Sequence, residues 1–277
     1  MIKAVACELP HQLNLLFSRL SLSALQAYLI QQQVVAQISI GKLWTILDAD
    51  AIRPWYHRSW LFPRDPRFVE KAAPILDLYQ GAFESRALRA QEYVLSFDQK
   101  TSIQARARIH ASVSARSAHP QWVEHEYARQ GALNLLACWD VQRAQVWGRC
   151  YARKRRAEVE AFVNELFARE PYASAKVIHF ILDNGSSQHP NTFPTWMQQQ
   201  HPKVRLHYLP THASWLNQIE LYFSIVQRKV LTPNDFRDLE YLEQRLMEFQ
   251  AFYNRTARPF QWNFARADLE ERLRLLN

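Results

Sequence analysis

The sequence predicts an α/β fold, a mixed sheet flanked by helices, preceded by a small all-α segment. Three observations carry this expectation. The first fifty residues hold two short runs with helical apolar spacing, each led by a serine. From Glu92 the pattern changes to runs of β-branched and aromatic residues of strand length. Beyond about Arg155 helical and strand patterns alternate, which is how later strands come to lie parallel.

In the first run Leu22, Leu25 and Leu29 follow Ser21; in the second Ile40, Leu43, Trp44 and Leu47 follow Ser39. Both fit amphipathic helices with a serine side chain capping the first turn. A short connection around Val34 to Gln37 makes the pair a helix-turn-helix, with a plain helical hairpin as the alternative. Its second helix would turn Lys42, Thr45 and the neighbouring Gly41 outward and pack Leu43 and Trp44. In "IRPWYHRSWLFPRDP", Ile52 to Pro66, prolines interrupt regular structure. Here Arg53, Arg58 and Arg64 interleave with Trp55, Tyr56, Trp60 and Phe62. Such a stretch suits a phosphate backbone, or else an interdomain strap packed by its own aromatics. A helix from about Arg67 to Tyr79 follows. The expected organisation is a helical segment over 1–52, a basic and aromatic linker with its helix over 53–90, and an α/β domain over 91–277.

Within that domain "EYVLSFD" reads as a buried strand ending at Asp98, and "TSIQARARI" as its hairpin partner. A further strand pair, "LNLLACWDV" and "AQVWGRC", turns at Gln142 to Ala144. A helix from about Arg155 to Arg169 precedes the strand "KVIHFILD", which ends at Asp183. A short helix near Pro194 to Gln200, the strand "VRLHYL", a helix carrying Glu220 and a long helix from about Leu239 to Tyr253 complete the chain. Antiparallel strands followed by helix-crossed parallel ones give the strand order of a ribonuclease-H-like fold.

An excess of Lys+Arg (34) over Asp+Glu (26) leaves a net charge of +8, a balance that favours a polyanionic partner such as nucleic acid. Cys7, Cys138 and Cys150 are odd in number and widely spaced, so neither a disulfide framework nor a zinc ligand set is indicated, and a reducing, cytoplasmic setting is expected. No run approaches a membrane span, and the start lacks a signal-peptide pattern. His179, His189, His201, His207 and His212 lack the paired spacing of a zinc site. No Arg-His-Arg-Tyr arrangement of a tyrosine recombinase is present. Ser186 and Ser187 lack an obvious base. The basic run Arg153 to Arg156 opens a helix as a solvated or DNA-facing edge.

The chemistry concentrates in carboxylates. Asp98 and Asp183 each close an apolar strand, and strand ends in such sheets are where ligands bind. Glu220 sits in "SWLNQIELYF", where helical spacing puts it on one face with Asn217. Three converging carboxylates repel one another, and a divalent cation removes the conflict. Hard oxygen ligands select Mg2+ or Mn2+, and two such ions suit phosphodiester displacement. Asn217 would then support the ligands or meet substrate. The plainer alternatives are a turn at Asp183-Asn184-Gly185, a strand end at Asp98, and pairing of Glu220 with Arg228 or Lys229.

"ILDNGSSQHPNTFPTW", "LPTHASWLNQIELYFSIVQRKVLTPNDF" and "FYNRTARPFQW" resemble the catalytic half of mariner-like DDE transposases of bacterial insertion sequences, the insertion-sequence 630 family. "PWYHRSWLFPRDPRFVEKA" and "FDQKTSIQARAR" resemble that family's linker and first-aspartate segments. The resemblance places the carboxylate triad on Asp98, Asp183 and Glu220, with Asn184, Asn217 and His212 beside the metals or the scissile phosphate. It implies cleavage and strand transfer at element ends with two Mg2+, for which Mn2+ can substitute. The implied partners are double-stranded DNA, both terminal inverted repeats and target, bound by a homodimer or larger assembly at the nucleoid. Gln99 stands where the family usually has Glu, and Gln188 where it usually has His. Family members usually carry a further upstream helix-turn-helix, which this chain begins too late to hold, so discrimination of element ends is expected to be poor. Two rival readings are a catalytically silent DNA-binding remnant and a structure-selective nuclease.

Overall fold

The structure, a computed structural model, describes residues 1–56 and 64–274. The chain divides into two compact units, Met1–Phe62 and Pro63–Asn277.

The smaller unit holds three helices, α1 (Ile2–Cys7), α2 (Leu22–Gln31) and α3 (Ile40–Asp48). Both expected caps form: the Ser21 hydroxyl accepts the Ala24 N–H and the Ser39 hydroxyl accepts that of Lys42, each at 3.1 Å. Leu25, Leu29, Leu43 and Leu47 close a core with Ala6 and Leu20. Helix α1 was not foreseen, and the connection between α2 and α3 is longer than the expected turn. Trp44 departs from expectation too. It is 48% exposed, as is Ile40 one turn earlier at 45%, so the helix buries only its Leu43 and Leu47 stripe. Two leucines one turn apart already fill the contact with α2. Lys42 and Thr45 are exposed, and the Thr45 hydroxyl donates back to Gly41 O at 2.9 Å. Arg53 is exposed and ion-paired with Asp48 at 3.5 Å. Arg58, Trp60 and Phe62 lie outside the described residues.

The larger unit opens with helix α4 (Phe68–Tyr79), preceded by an exposed Arg64, and a short hairpin of β1 (Ala82–Phe83) and β2 (Arg86–Ala87). A five-stranded sheet follows, ordered β5-β4-β3-β6-β7. Its strands are β3 (Glu92–Arg108), β4 (Tyr127–Asp140), β5 (Gln145–Tyr151), β6 (Val177–Leu182) and β7 (Val204–Tyr208). The β3–β4 and β4–β5 pairs are antiparallel, and β3–β6 and β6–β7 are parallel. Helix α5 (Arg156–Phe167) and α6 (Phe193–Gln200) pack on one face around Phe97, Phe162 and Phe180. On the other face α4, α7 (Ile219–Lys229), α8 (Leu239–Thr256) and α9 (Arg266–Arg274) surround Ile181, Tyr222 and Leu246. The mixed sheet between two helical layers is the expected ribonuclease-H-like architecture.

One expectation fails instructively. Asp98 does not end a strand, and "TSIQARARI" is not the hairpin partner of what precedes it: both belong to one strand, β3, whose antiparallel partner is β4. Nothing between Asp98 and Thr101 supplies a two-residue hairpin turn. Instead the register slips between Lys100 and Ile103, with Ser102 at φ 55°, a bulge that bends the strand without ending it. The bulge also reverses the alternation. Before it Val94 faces the α7 layer; after it Ile103 and Ala105 do. Helix α9 and the β1–β2 hairpin were not anticipated either. No described helix is long and apolar enough to cross a membrane.

Candidate functional site

The sheet itself brings two aspartates together. The parallel ladder between β3 and β6 ends with Ser96 opposite Ile181. Continuing that register two positions sets Asp98 opposite Asp183, on the same face because side chains alternate with period two. Beyond Ser96 the two chains part, β3 running on with β4 while β6 stops at Leu182. Asp98 and Asp183 therefore flank the opening where the sheet splits.

Helix α7 supplies the third carboxylate. Ile219, Tyr222, Phe223 and Val226 are buried and anchor it, while Glu220 in its first turn stays exposed. The segment entering the helix is held from below. Asn217, fully buried, donates from Nδ2 to Phe97 O at 3.0 Å and to Asp98 Oδ2 at 3.1 Å, and its Oδ1 accepts the Ser96 hydroxyl. Ser96 in turn accepts the Ile219 N–H at 3.0 Å. Asn217 thus precedes the helix and points into the sheet, so it and Glu220 do not share an exposed face. Helix α4 and the residues leading into it hold the same segment at two further points. Asp65 Oδ2 accepts the Thr211 N–H at 3.1 Å, and the Tyr79 hydroxyl donates to Leu216 O at 2.8 Å.

Electrostatics mark the three carboxylates as one cluster. Burial first, then the charge of Asp183, push the Asp98 carboxyl up to about 7, against the pull of the Gln99 N–H. Glu220, exposed as a residue, has a carboxyl partly desolvated by its neighbours; that desolvation first, and then the charge of Asp183, raise it, with Lys100 and a hydrogen bond from Asp98 opposing. Its cationic neighbour is thus Lys100 of the sheet. Arg228, offered as a partner on its own helix, donates to Ser224 instead. Among the described residues no three His, Cys, Asp or Glu side chains form a ready cage for a metal ion. The donor set nevertheless fits a hard divalent cation: all three groups are carboxylates, and their mutual repulsion is what an added positive charge relieves.

Asp183 Oδ1 accepts from Gly185 N–H at 3.1 Å and from Gln188 Nε2. Gln188 Oε1 accepts from Gln99 Nε2 at 2.8 Å, so the two glutamines that depart from the expected pattern are partners. A Cβ at Gly185 would lie 2.7 Å from Gln188 Nε2 and 3.0 Å from Asp183 Oδ1, so a side chain there would displace the Gln188 amide. Asn184 Nδ2 donates to Leu209 O at 2.8 Å, and Asn184 lines an open pocket of about 310 Å³ with Arg67, Lys71 and Tyr208. His212 is exposed with a left-handed backbone, φ 62°.

Sequence reasoning missed Ser96, Lys100, Tyr79 and the glutamine pairing. Lys100 had a signal, its alternation with Asp98 along a strand, which the expected strand end concealed. His179 and His207, read as dispersed, meet on β6 and β7 at 3.0 Å, packed on Phe83. Burial drives them down to about 4 and about 3, so they are neutral core groups. The basic run is partly neutralised, Arg155 pairing with Glu158 and Arg156 with Glu160.

Comparison with known proteins bears on the family and the fold. The model of a family described as DDE superfamily endonuclease matches residues 93–243, the stretch holding all three carboxylates. No curated protein sequence matches the chain. Among solved structures, the Mos1 mariner paired-end complex with Mn superposes with a TM-score of 0.56 at 15% identity, over 83% of this chain and 69% of that one. The Mos1 transposase paired-end complex with left transposon end gives 0.51 at 14%, over 86% and 74%. A pre-cleavage Mos1 transpososome gives 0.50 at 13%, over 86% and 74%. At such identities these likenesses establish the fold. With a family match spanning more than half of its length, on a ribonuclease-H-like sheet, the chain belongs to the DDE superfamily endonucleases.

Proposed function

We propose that the protein is a mariner-like transposase of the bacterial insertion-sequence 630 type, cutting and joining DNA at element ends. The single observation that carries this reading is the convergence of Asp98 and Asp183 at the split of β3 and β6, with Glu220 on α7 close enough to perturb Asp98. Asp98, Asp183 and Glu220 would hold Mg2+, as two ions, with Mn2+ as a substitute. Bound there, such ions supply charge stabilisation to the entering and leaving oxygens of a phosphodiester displacement.

The chain's own residues prepare the site. Asn217 orients Asp98, Lys100 faces Glu220, and the α4 contacts hold the segment between β7 and α7 in place. Asn184 and His212 are assigned to the substrate side. Lys42, Thr45, Arg53, Arg58 and Arg64 are assigned to DNA contact, with terminal inverted repeats and target DNA as partners. The solved relatives are paired-end and pre-cleavage assemblies of Mos1, which supports a homodimer or larger complex on DNA.

The test is strand cleavage of duplex carrying an element end. Asp183→Asn and Glu220→Gln should abolish cleavage in Mg2+ while leaving DNA binding within a few fold, and Ca2+ should support binding without chemistry. Undiminished Mg2+-dependent cleavage by Glu220→Gln overturns the triad. A silent remnant would bind ends without nicking them, and a structure-selective nuclease would cut branched DNA and never join strands.

A further inference from the structure

We infer that Gln99 and Gln188 form a two-amide relay that selects which oxygen of Asp183 is presented to a bound cation and fixes the spacing between Asp183 and Asp98. Resting on the metal-site reading above, it names residues that reading does not require. Both glutamines sit where the backbone ladder has run out. Past Ser96 and Ile181 no β3–β6 backbone pair remains, and the Gln99–Gln188 bond is the side-chain link that spans the parting chains.

The direction of the relay follows from donor and acceptor count. A glutamine amide carries an acceptor oxygen and a donor nitrogen, and rotating it by half a turn exchanges them. Gln188 is 1% exposed, its carbonyl O accepts the Tyr208 hydroxyl at 2.9 Å, and its N–H donates to Gly185 O at 3.2 Å, so its position is set by the fold. Asp183, which only accepts, draws the Gln188 Nε2 end, and Gln99 locks that orientation from the other side. Because Gln99 Nε2 donates to Gln188 Oε1, that oxygen is held away from the carboxylate and Gln188 Nε2 is turned onto Asp183 Oδ1. Without Gln99 the buried Gln188 Oε1 loses its donor, and the amide is held at one end only, by Asp183. With the relay in place, Oδ1 is engaged by Gln188 and by Gly185 N–H, leaving Oδ2 as the free ligand. Gln99 also follows Asp98 directly, its own N–H donating to Asp98 Oδ1 at 2.7 Å. One residue therefore touches both aspartates, one through its backbone and the other through Gln188. Both glutamines are positioning residues acting through Asp183.

Mn2+ binding to the intact protein, followed by calorimetry without DNA, tests the relay alongside a double-substitution cycle of Gln99→Leu, Gln188→Leu and both together. Supporting groups of this kind typically change metal affinity by about 10- to 100-fold. Each single substitution should weaken Mn2+ within that range. Gln99→Leu should add little in the Gln188→Leu background, because it acts through that residue. Unchanged Mn2+ affinity in Gln99→Leu, or an equal loss in both backgrounds, overturns the relay. Melting temperatures of the same four metal-free proteins give an independent reading. Shifts that fail to add support the hydrogen bond, and strictly additive shifts refute it whatever the metal does. Absence of Mn2+ binding by the unsubstituted protein would count against the metal site instead, leaving the melting cycle to decide the relay.

Discussion

Replacing Asp98 by Asn should make the stability of the metal-free protein nearly insensitive to this site between pH 5 and pH 8, where the parent loses stability steadily. The folded carboxyl titrates at about 7 against an ordinary 3.8, held up mainly by burial and by Asp183. A carboxyl whose folded value is raised binds its proton more tightly in the folded state. Its contribution is complete below about pH 4 and is lost as pH rises through 7. At about 1.4 kcal/mol per decade, roughly 2–3 kcal/mol of that loss falls between pH 5 and pH 8.

Asparagine at this position is neutral throughout, but one of its two ends must face a donor, either Gln99 N–H or Asn217 Nδ2. That mismatch costs about 1–3 kcal/mol at every pH. Asp98→Asn should therefore be less stable than the parent at pH 5 and comparable or more stable at pH 8, a relative swing of roughly 5–10 °C in melting temperature. His179 and His207, whose lowered values act with the opposite sign, are shared by both proteins and cancel in the difference. Thermal melts in chelator at half-unit pH steps provide the assay. Adding Mn2+ at pH 8 should then stabilise the parent, by about 2.7 kcal/mol at a hundredfold excess over its dissociation constant, and stabilise the variant much less. A difference between the two proteins that stays constant from pH 5 to pH 8 would refute the reasoning, since it would show that Asp98 is ionised in the fold at no special cost.

Asn217→Ala strands the Ser96 hydroxyl, Phe97 O and Asp98 together, so a loss of about 3–5 kcal/mol is expected in urea unfolding; a loss below 1 kcal/mol would mean the buried amide is dispensable. Tyr79→Phe removes the donor to Leu216 O and the acceptor of the Gln218 N–H and should cost about 1–2 kcal/mol while lowering cleavage rate more than DNA affinity, because both contacts lie on the segment leading to Glu220; an unchanged rate would reduce α4 to packing. Lys42→Ala with Thr45→Ala should weaken binding to element ends more than to random duplex, base contacts being what discriminate. Equal losses in a gel-shift titration would show that α3 only packs or touches phosphate.

How much of this was legible in the sequence depended on the reach of the interaction involved. Helices α2 and α3 were readable because each cap is closed within three residues, Ser21 to Ala24 and Ser39 to Lys42. The strand Val177–Leu182 was readable because a buried parallel strand is apolar on both faces, and Val204–Tyr208 because Val204, Leu206 and Tyr208 alternate with Arg205 and His207. The β3 bulge was not, because a positive φ at Ser102 leaves no composition signal of the kind glycine gives. That one slip mattered, for it hid Lys100 behind a supposed strand end and misassigned the partner of β3.

The carboxylates themselves were found because a charge closing an apolar run is costly unless it is used, and cost is visible in one dimension. What supports them was not visible, because Gln99 meets Gln188, and Ser96 meets Asn217, only if β3 and β6 stand in a particular register and α7 enters at a particular height. A one-residue slip of β6 would turn Asp183 to the opposite face of the sheet and leave Gln188 with nothing to hold. The supporting hydrogen bonds are therefore conditional on the fold in a way the ligands' residue types are not. Ser96 makes the dependence concrete. Its hydroxyl donates to Asn217 and accepts from Ile219 N–H, so a single buried side chain couples the last β3–β6 pair to the first turn of the helix bearing Glu220. The geometry of the third carboxylate is thereby set from the strand that carries the first.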